Sequence, residues 1–388
     1  MSVTRAGRTT RCARPECVRR VAACLLPLVL AAALGCTPAT PEQEAPPGRV
    51  PAVPRGVLLA EPVDEGREET NSTFRVLLDL IRHTPAGERI RIVGNSFSFV
   101  PAAEELAAAH RRGVHVQVVV DRRASGEWKA PALLREALGT DRQADSFLYL
   151  AEGRLHHKMW SFTRTADRRD VVLLGSMNLT YRSAQQYTDM IAYAGRRDVR
   201  RLVDRRFDRL VRFLPDVPPS APIDLGGDRA WFYPGTGADR DPVRAMLEDV
   251  PAAGARIRVV MYAWLDRRGL ELAELLAAKD AAGADVEVVL GVSTGPVVRD
   301  VLEGSGVEVH TGVFADGDDV HHKLTVVSHP APDGGRTRFV LTGSDNYTTK
   351  SLDRPELVLR VDGSRGTLFA EYSRWVDALV RRGARERG

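Results

Sequence analysis

A short phrase occurs twice in this 388-residue chain, and the pattern of strands and helices around it recurs as well. His156-His157-Lys158 opens an apolar run to Phe162 and is followed by Gly175-Ser176-Met177-Asn178. His321-His322-Lys323 opens a run to Val327 and is followed by Gly343-Ser344-Asp345-Asn346. Side chains alternate on extended backbone, so His156 shares a face with Lys158, and His321 with Lys323. His157 and His322 turn the other way and are expected to pack. A whole-domain repeat constrains a fold more than composition does, because each half must build the same supersecondary unit.

The halves can be read side by side. Strand Val57 to Pro62 matches Ala230 to Pro234, and an amphipathic helix near Ser72 to Arg82 matches one starting at Asp241-Pro242. The strand from Arg89 to Phe99 matches Arg256 to Trp264, followed by helices Pro101 to Arg112 and Leu270 to Ala282, stopped by Gly113 and Gly283. Strands Val114 to Asp121 and Asp285 to Gly291 come next, then short helices Pro131 to Leu138 and Pro296 to Glu303. After the two motif strands, each half closes on a long helix, near Arg197 to Phe213 and Thr367 to Arg381. Such alternation predicts an α/β fold with two mixed sheets flanked by helices. The expected division is a first half over 57–213, a Pro/Gly-rich linker over 214–227 and a second half over 228–388. Tyr262 and Trp264, at the end of a strand, could line a substrate cleft, and half-buried packing is the favoured expectation for them.

The N-terminus has a different character. Residues 1–20 are basic, and Val21 to Leu34 is an apolar run too short for a membrane span but suited to a signal peptide over 1–35. It ends in Ala32-Ala33-Leu34-Gly35-Cys36, which resembles a bacterial lipobox, with the leucine one position later than usual. The resemblance implies export, lipidation of Cys36 and a surface anchor. Residues 36–56 would be a flexible tether, since 37–56 hold six prolines.

Charge and residue usage narrow the chemistry. The formal charge of +4 rests on the leader, where six arginines face one glutamate; the rest is near neutral and offers no global field for nucleic acid. All four cysteines lie within the first 36 residues, so no later disulfide or thiolate metal site can form. No metal-ligand cluster or cofactor motif is evident. Only five lysines are present, and two of them are Lys158 and Lys323. In a chain this biased toward arginine, that points to a need for compact ammonium groups there.

Two HxK motifs, each followed by GSxN and in phase with a duplicated α/β chain, resemble the phospholipase D superfamily from Val57 to the C-terminus. The resemblance implies a duplicated phospholipase D-like fold in which the motifs meet in one metal-independent site between the halves. One imidazole would attack phosphorus to give a phosphohistidine, and the other would protonate the leaving alkoxide and later activate water or an alcohol. By resemblance, His156 is the nucleophile and His321 the acid. Lys158, Lys323, Asn178 and Asn346, with Ser176 and Ser344 as further phosphate ligands, would hold the phosphoryl oxygens. The family places an Asp five residues after each Lys, where this chain has Thr163 and Ser328. Asp189 and Glu356, downstream of each GSxN, are the candidates for orienting the histidines.

Three functions follow as expectations. The leading one is cleavage or transfer of a glycerophospholipid head group by a monomeric, exported, lipid-anchored enzyme at a membrane surface. The second is an exported nuclease using the same two histidines on nucleic acid, and the third a non-catalytic lipoprotein that binds anions. A cardiolipin-synthase role is disfavoured by the missing N-terminal pair of membrane spans.

Overall fold

The computed structural model describes residues 52–385 except Arg365. The expected signal peptide, Cys36 and nearly all of the tether lie outside the described residues. Arg49–Gly388 forms one compact unit. Among the described residues no helix is long and apolar enough to cross a membrane.

The first half carries β1 (Gly56–Ala60), β2 (Arg89–Gly94), β3 (His115–Asp121), β4 (Phe147–Ala151), β5 (Met159–Thr165), β6 (Arg168–Gly175) and β7 (Gln186–Tyr193). They line up in the order β1-β7-β6-β5-β2-β3-β4. The second half carries β8 (Ile223–Leu225), β9 (Asp228–Phe232), β10 (Arg256–Trp264), β11 (Asp285–Thr294), β12 (Glu308–Thr311), β13 (Asp319–Val320), β14 (Lys323–Pro330), β15 (Arg336–Gly343) and β16 (Leu357–Asp362). Its order, β12-β11-β10-β14-β15-β16-β9-β8, is the first half's order with one added hairpin strand. In both sheets the three strands at one end run parallel, as strand–helix–strand crossovers demand, and the motif strand joins them antiparallel. The duplication read from the sequence is a duplication of topology.

Helices follow the apolar periodicity closely. Ser72–Arg82 is capped by Asn71, whose side chain accepts from the amides of Thr73 and Phe74, and it buries Phe74, Leu77, Leu78 and Ile81. The helices at 197–213 and 296–303 fall where expected. Two features escape the pattern. The short strands β4 and β12 extend the sheets, and the linker over 214–227 is not all coil, because its Ile223–Leu225 pairs with β9.

Strand alternation feeds three cores. Ile90 and Ile92 face one under the first half's outer helices, while Val93, Val119 and Leu174 face the second half's Val260, Leu324, Val326 and Leu359 across a shared core. The closing helices, 197–213 and Leu368–Arg385, contribute Leu202, Phe207, Tyr372 and Val376 to that same core. Burying each such side chain is worth roughly 1.5–3 kcal/mol. The shared core holds the halves in one register, with the two motif strands opposed. β13 crosses over to pair with β7, adding a backbone tie between the halves.

Candidate functional site

Both HxK motifs stand at the start of their strands, and each is held by the other half. The His156 amide donates to the carbonyl of Pro355 at 3.1 Å, and the His321 amide to that of Tyr187 at 2.9 Å. The rings are exchanged in the same way: Nδ1 of His156 lies 3.1 Å from the Ser344 carbonyl, and Nδ1 of His321 lies 3.0 Å from the Ser176 carbonyl. Both histidines open onto one polar cleft of about 720 Å³, lined also by Asn95, Asn178, Gln186 and Tyr262.

The lysines reach back along their strands. Lys158 Nζ donates to the His156 carbonyl at 2.7 Å, and Lys323 Nζ to the His321 carbonyl at 2.6 Å. Lys323 Nζ also sits 3.2–3.3 Å from the ring nitrogens of His321. Both side chains are buried, and among the described residues neither is paired with a carboxylate. Burial therefore pushes both ammonium groups down, Lys323 to about 7. Burial and the neighbouring lysines hold His156 and His321 well below the usual imidazole range, which favours their neutral forms. Glu356 is the carboxylate that acts most strongly on both lysines.

The motif glycines are needed for close approach. A Cβ on Gly175 would come 2.2 Å from the Asp189 carbonyl, and one on Gly343 2.2 Å from that of Leu357. This contact lets the amides of Ser176 and Ser344 bond those same carbonyls, both at 2.9 Å. The serine hydroxyls differ from expectation. Ser176 Oγ donates to Asp189 Oδ1 at 2.7 Å, and Ser344 Oγ accepts from the Leu357 amide at 2.9 Å. Both residues are wholly buried, so their hydroxyls tie the motif to the next strand instead of facing the cleft. Asn178 and Asn346 each keep a buried amide oxygen with no hydrogen-bond partner.

The two acids part company. Glu356, wholly buried, lies 2.9 Å from His156 Nδ1 and accepts from Arg354 Nε at 2.7 Å. Burial raises its carboxyl above the usual range while Arg354 opposes the shift. It orients a histidine of the other half. Asp189, the other candidate for orienting a histidine, bonds neither His156 nor His321 among the described residues. Its shorter side chain accepts from Ser176 (2.7 Å), Thr342 (2.5 Å) and Tyr372 (2.6 Å). His321 rests instead on the Ser176 carbonyl and against the Tyr262 ring, 4.5 Å between centroids, with Lys323 Nζ 4.7 Å from that ring.

Tyr262 is thus a cleft residue, contrary to the packing role expected of it; Trp264 does pack, wholly buried against Tyr347. His157 and His322 are buried on the far face, where they accept from Arg206 Nε (3.1 Å) and Trp375 Nε1 (3.0 Å) of the closing helices. Thr163 and Ser328 sit down their strands, bonded to Glu88 (2.7 Å) and to Arg336 (2.8 Å), and touch none of these groups. Arg268 had no sequence signal. Buried, it grips Asp345 at 2.8 and 2.9 Å and the Asn346 carbonyl at 2.8 Å, fixing the second GSxN turn. Among the described residues one group has metal-ligand types at close range, Glu287, Glu308 and His310, within 4.8 Å, but Arg258 already donates to Glu287 at 2.5 Å.

Comparison with known proteins agrees with this architecture. The family model described as "Cardiolipin synthase, PLD-like domain" matches residues 77–211. No curated protein matches the chain by sequence. Phosphatidylserine synthase from Haemophilus influenzae superposes with a TM-score of 0.54 at 13% identity, over 84% of this chain and 88% of that one. Polyphosphate kinase from Porphyromonas gingivalis gives 0.54 at 15% identity over 84% of this chain, which spans only 50% of that enzyme. Yeast tyrosyl-DNA phosphodiesterase gives 0.50 at 8% identity, over 81% and 90%. At such identities these structures speak to the fold alone. Residues 77–211 match a PLD-like domain, and the second half repeats that strand order and motif: the chain has a duplicated phospholipase D-like fold.

Proposed function

We propose that this protein is a metal-independent phosphodiesterase that cleaves or transfers the head group of a glycerophospholipid through a phosphohistidine. The observation that carries the reading is the pair of buried ammonium groups, unpaired with carboxylates among the described residues, beside two neutral histidines at one cleft. A phosphodiester anion would pair with both ammonium groups. His156, with Nδ1 against Glu356, attacks phosphorus through Nε2, and the carboxylate stabilises the positive charge that grows on the ring. The P–O bond to the leaving alkoxide breaks as His321, having taken up a proton when the anion binds, gives it to that oxygen. His321 then removes a proton from water or an alcohol, which attacks phosphorus and breaks the P–N bond. Lys158 and Lys323 hold the phosphoryl oxygens. The side-chain amides of Asn178 and Asn346, turned to present Nδ2, complete the cradle.

The near-neutral mature chain and the anchor expected at Cys36 support a lipid over a nucleic acid. Export and anchoring are part of the proposal. Purified protein is offered phosphatidylglycerol vesicles and single-stranded DNA side by side, with an alkaline quench to preserve phosphohistidine. Lipid turnover is expected, with the phosphoryl group mapped to His156; in His321→Asn it should accumulate from bis(4-nitrophenyl) phosphate, whose nitrophenolate leaves without a proton. Cleavage of DNA alone would sink the lipid reading, and a phosphoryl group on His321 would reverse the two roles.

A further inference from the structure

Five large apolar side chains stand well exposed among the described residues: Trp128, Tyr181, Val292, Val297 and Val313. Two of them line one opening, and the other three lie close to it along the chain or through a backbone bridge. Trp128 and Val292 line the cleft that holds the two histidines. Tyr181 stands between Thr180 and Arg182, which line it, and Val313 is bridged through its backbone to Asp319, another lining residue. Val297 sits just past Val292, at the start of the Pro296–Glu303 helix, in a small apolar groove with Leu270 and Pro296. The placement follows from the duplication. Trp128 leaves the loop after β3, and Val292 belongs to the end of its counterpart β11, so each half puts an apolar residue on its own lip of the cleft.

Charge is added on one lip. Arg122, Arg123 and Arg135 share with Trp128 and Glu127 a second cleft of about 580 Å³; Arg122 is paired with Glu152 at 2.8 Å, and the remaining cations leave this side of the indole net basic. Lys129 follows it, also exposed. An indole among cations suits the headgroup layer of an anionic bilayer, where tryptophan partitions and basic residues are attracted. The opposite lip discriminates between partners. A nucleic acid needs cations and stacking surfaces along its path, but there the second half offers the exposed aliphatic side chains of Val292 and Val297, and its Asp319 is buried against Arg182 and Gln186. Aliphatic side chains of that kind gain free energy by entering an acyl boundary and gain little from bases.

We propose that this rim is a membrane-contact surface that seats the mouth of the site on an anionic lipid bilayer, Trp128 with its flanking cations on one lip and Val292 and Val297 on the other. The proposal rests on the lipid reading above and names how that substrate is met. It is tested with the compact unit, residues 49–388, so that neither the leader nor a lipid on Cys36 contributes. Flotation with phosphatidylglycerol-containing vesicles is compared for the parent and for Trp128→Ala/Val297→Ser. The parent should bind, and the double variant should bind at least about ten-fold more weakly with unchanged thermal unfolding. Turnover of vesicle lipid should fall further than turnover of soluble bis(4-nitrophenyl) phosphate, by a similar factor. A parent that ignores vesicles, a variant that binds them equally, or binding of oligonucleotide in their place overturns the surface. Should the parent bind vesicles through Trp128 and Val297 yet hydrolyse no lipid, the surface stands and the lipid-substrate reading falls.

Discussion

The two acids behind the motifs should fail in different ways when neutralised. Glu356→Gln keeps the shape and an acceptor for His156 Nδ1 but removes the charge. A hydrogen bond to a charged group contributes about 1.5–3 kcal/mol against about 0.5–1.5 for a neutral one. The difference grows as His156 takes up phosphorus and becomes cationic, where removing one preorganised partner typically costs about 10²–10³ in kcat. We therefore expect kcat for bis(4-nitrophenyl) phosphate to fall at least about 100-fold in single-turnover measurements, near 2.7 kcal/mol of transition-state stabilisation. Asp189→Asn removes an equally buried charge, but one that touches no histidine. Its oxygens accept three hydroxyl bonds, two of them from Thr342 and Tyr372 of the other half. An asparagine keeps one oxygen and turns an amide toward the remaining donors. The expected loss is about 2–4 kcal/mol of stability, read from denaturant unfolding, with kcat changed less than about ten-fold. Equal kcat losses in two folded variants, or a near-normal Glu356→Gln, would refute the asymmetric assignment.

Restoring the family's aspartate by Thr163→Asp should not raise activity, since Thr163 contacts Glu88 and no motif group; like charges there should cost about 1–2 kcal/mol in thermal unfolding, with kcat within about two-fold. Lys323→Met should abolish turnover yet stabilise the protein at pH 6 by on the order of a few kcal/mol, because it removes a buried ammonium. The sign follows from a folded value near 7 below the unfolded 10.5: the unfolded chain holds more protons between those limits, so parent stability from this group rises with pH across them and the gain in the variant shrinks. For the same reason KM for an anionic diester should climb as pH rises above 7 in the parent. Arg268→Met strands Asp241 and Asp345 and should cost about 3–5 kcal/mol. Burial already raises Asp345 to about 6, so denaturant unfolding should show the variant hurt less at pH 5, where that carboxyl is protonated, than at pH 8.

Much of this site was legible because a duplication repeats its signals. One HxK is uninformative, but two in phase with matching strands predicted the cleft, its histidines, its lysines and the far-side packing of His157 and His322. What escaped depends on contacts between distant segments. Hydroxyl direction is set by tertiary neighbours, so Ser176 and Ser344 looked like phosphate ligands until Asp189 and the Leu357 amide were seen to occupy them. Tyr262 ends a core strand, and nothing local tells a cleft position from a packed one there. Arg268 was hidden by abundance: where nearly every cation is arginine, one buried against two carboxylates carries no mark. The strands β4, β8 and β12 were too short for alternation to register.

The departure from symmetry has a physical logic. Two identical half-sites would give both imidazoles the same partner, and the proposed reaction needs them to differ: one must bear positive charge while bonded to phosphorus, the other must release its proton readily. Replacing glutamate by aspartate shortens the reach by one methylene, which is enough to leave His321 without a carboxylate. The shortened acid is not idle, for its three hydroxyl partners rivet the first motif to the second half through Thr342 and Tyr372. Tyr262 then takes the vacant place beside His321, where the equivalent strand position of the first half is Asn95, bonded to the Leu155 carbonyl at 2.8 Å. An aromatic face restrains the ring and shields Lys323 without adding negative charge. In the proposed reaction His156, with its carboxylate, suits the nucleophile that becomes a cation, and His321, bonded to the Ser176 carbonyl, suits the acid that must let go.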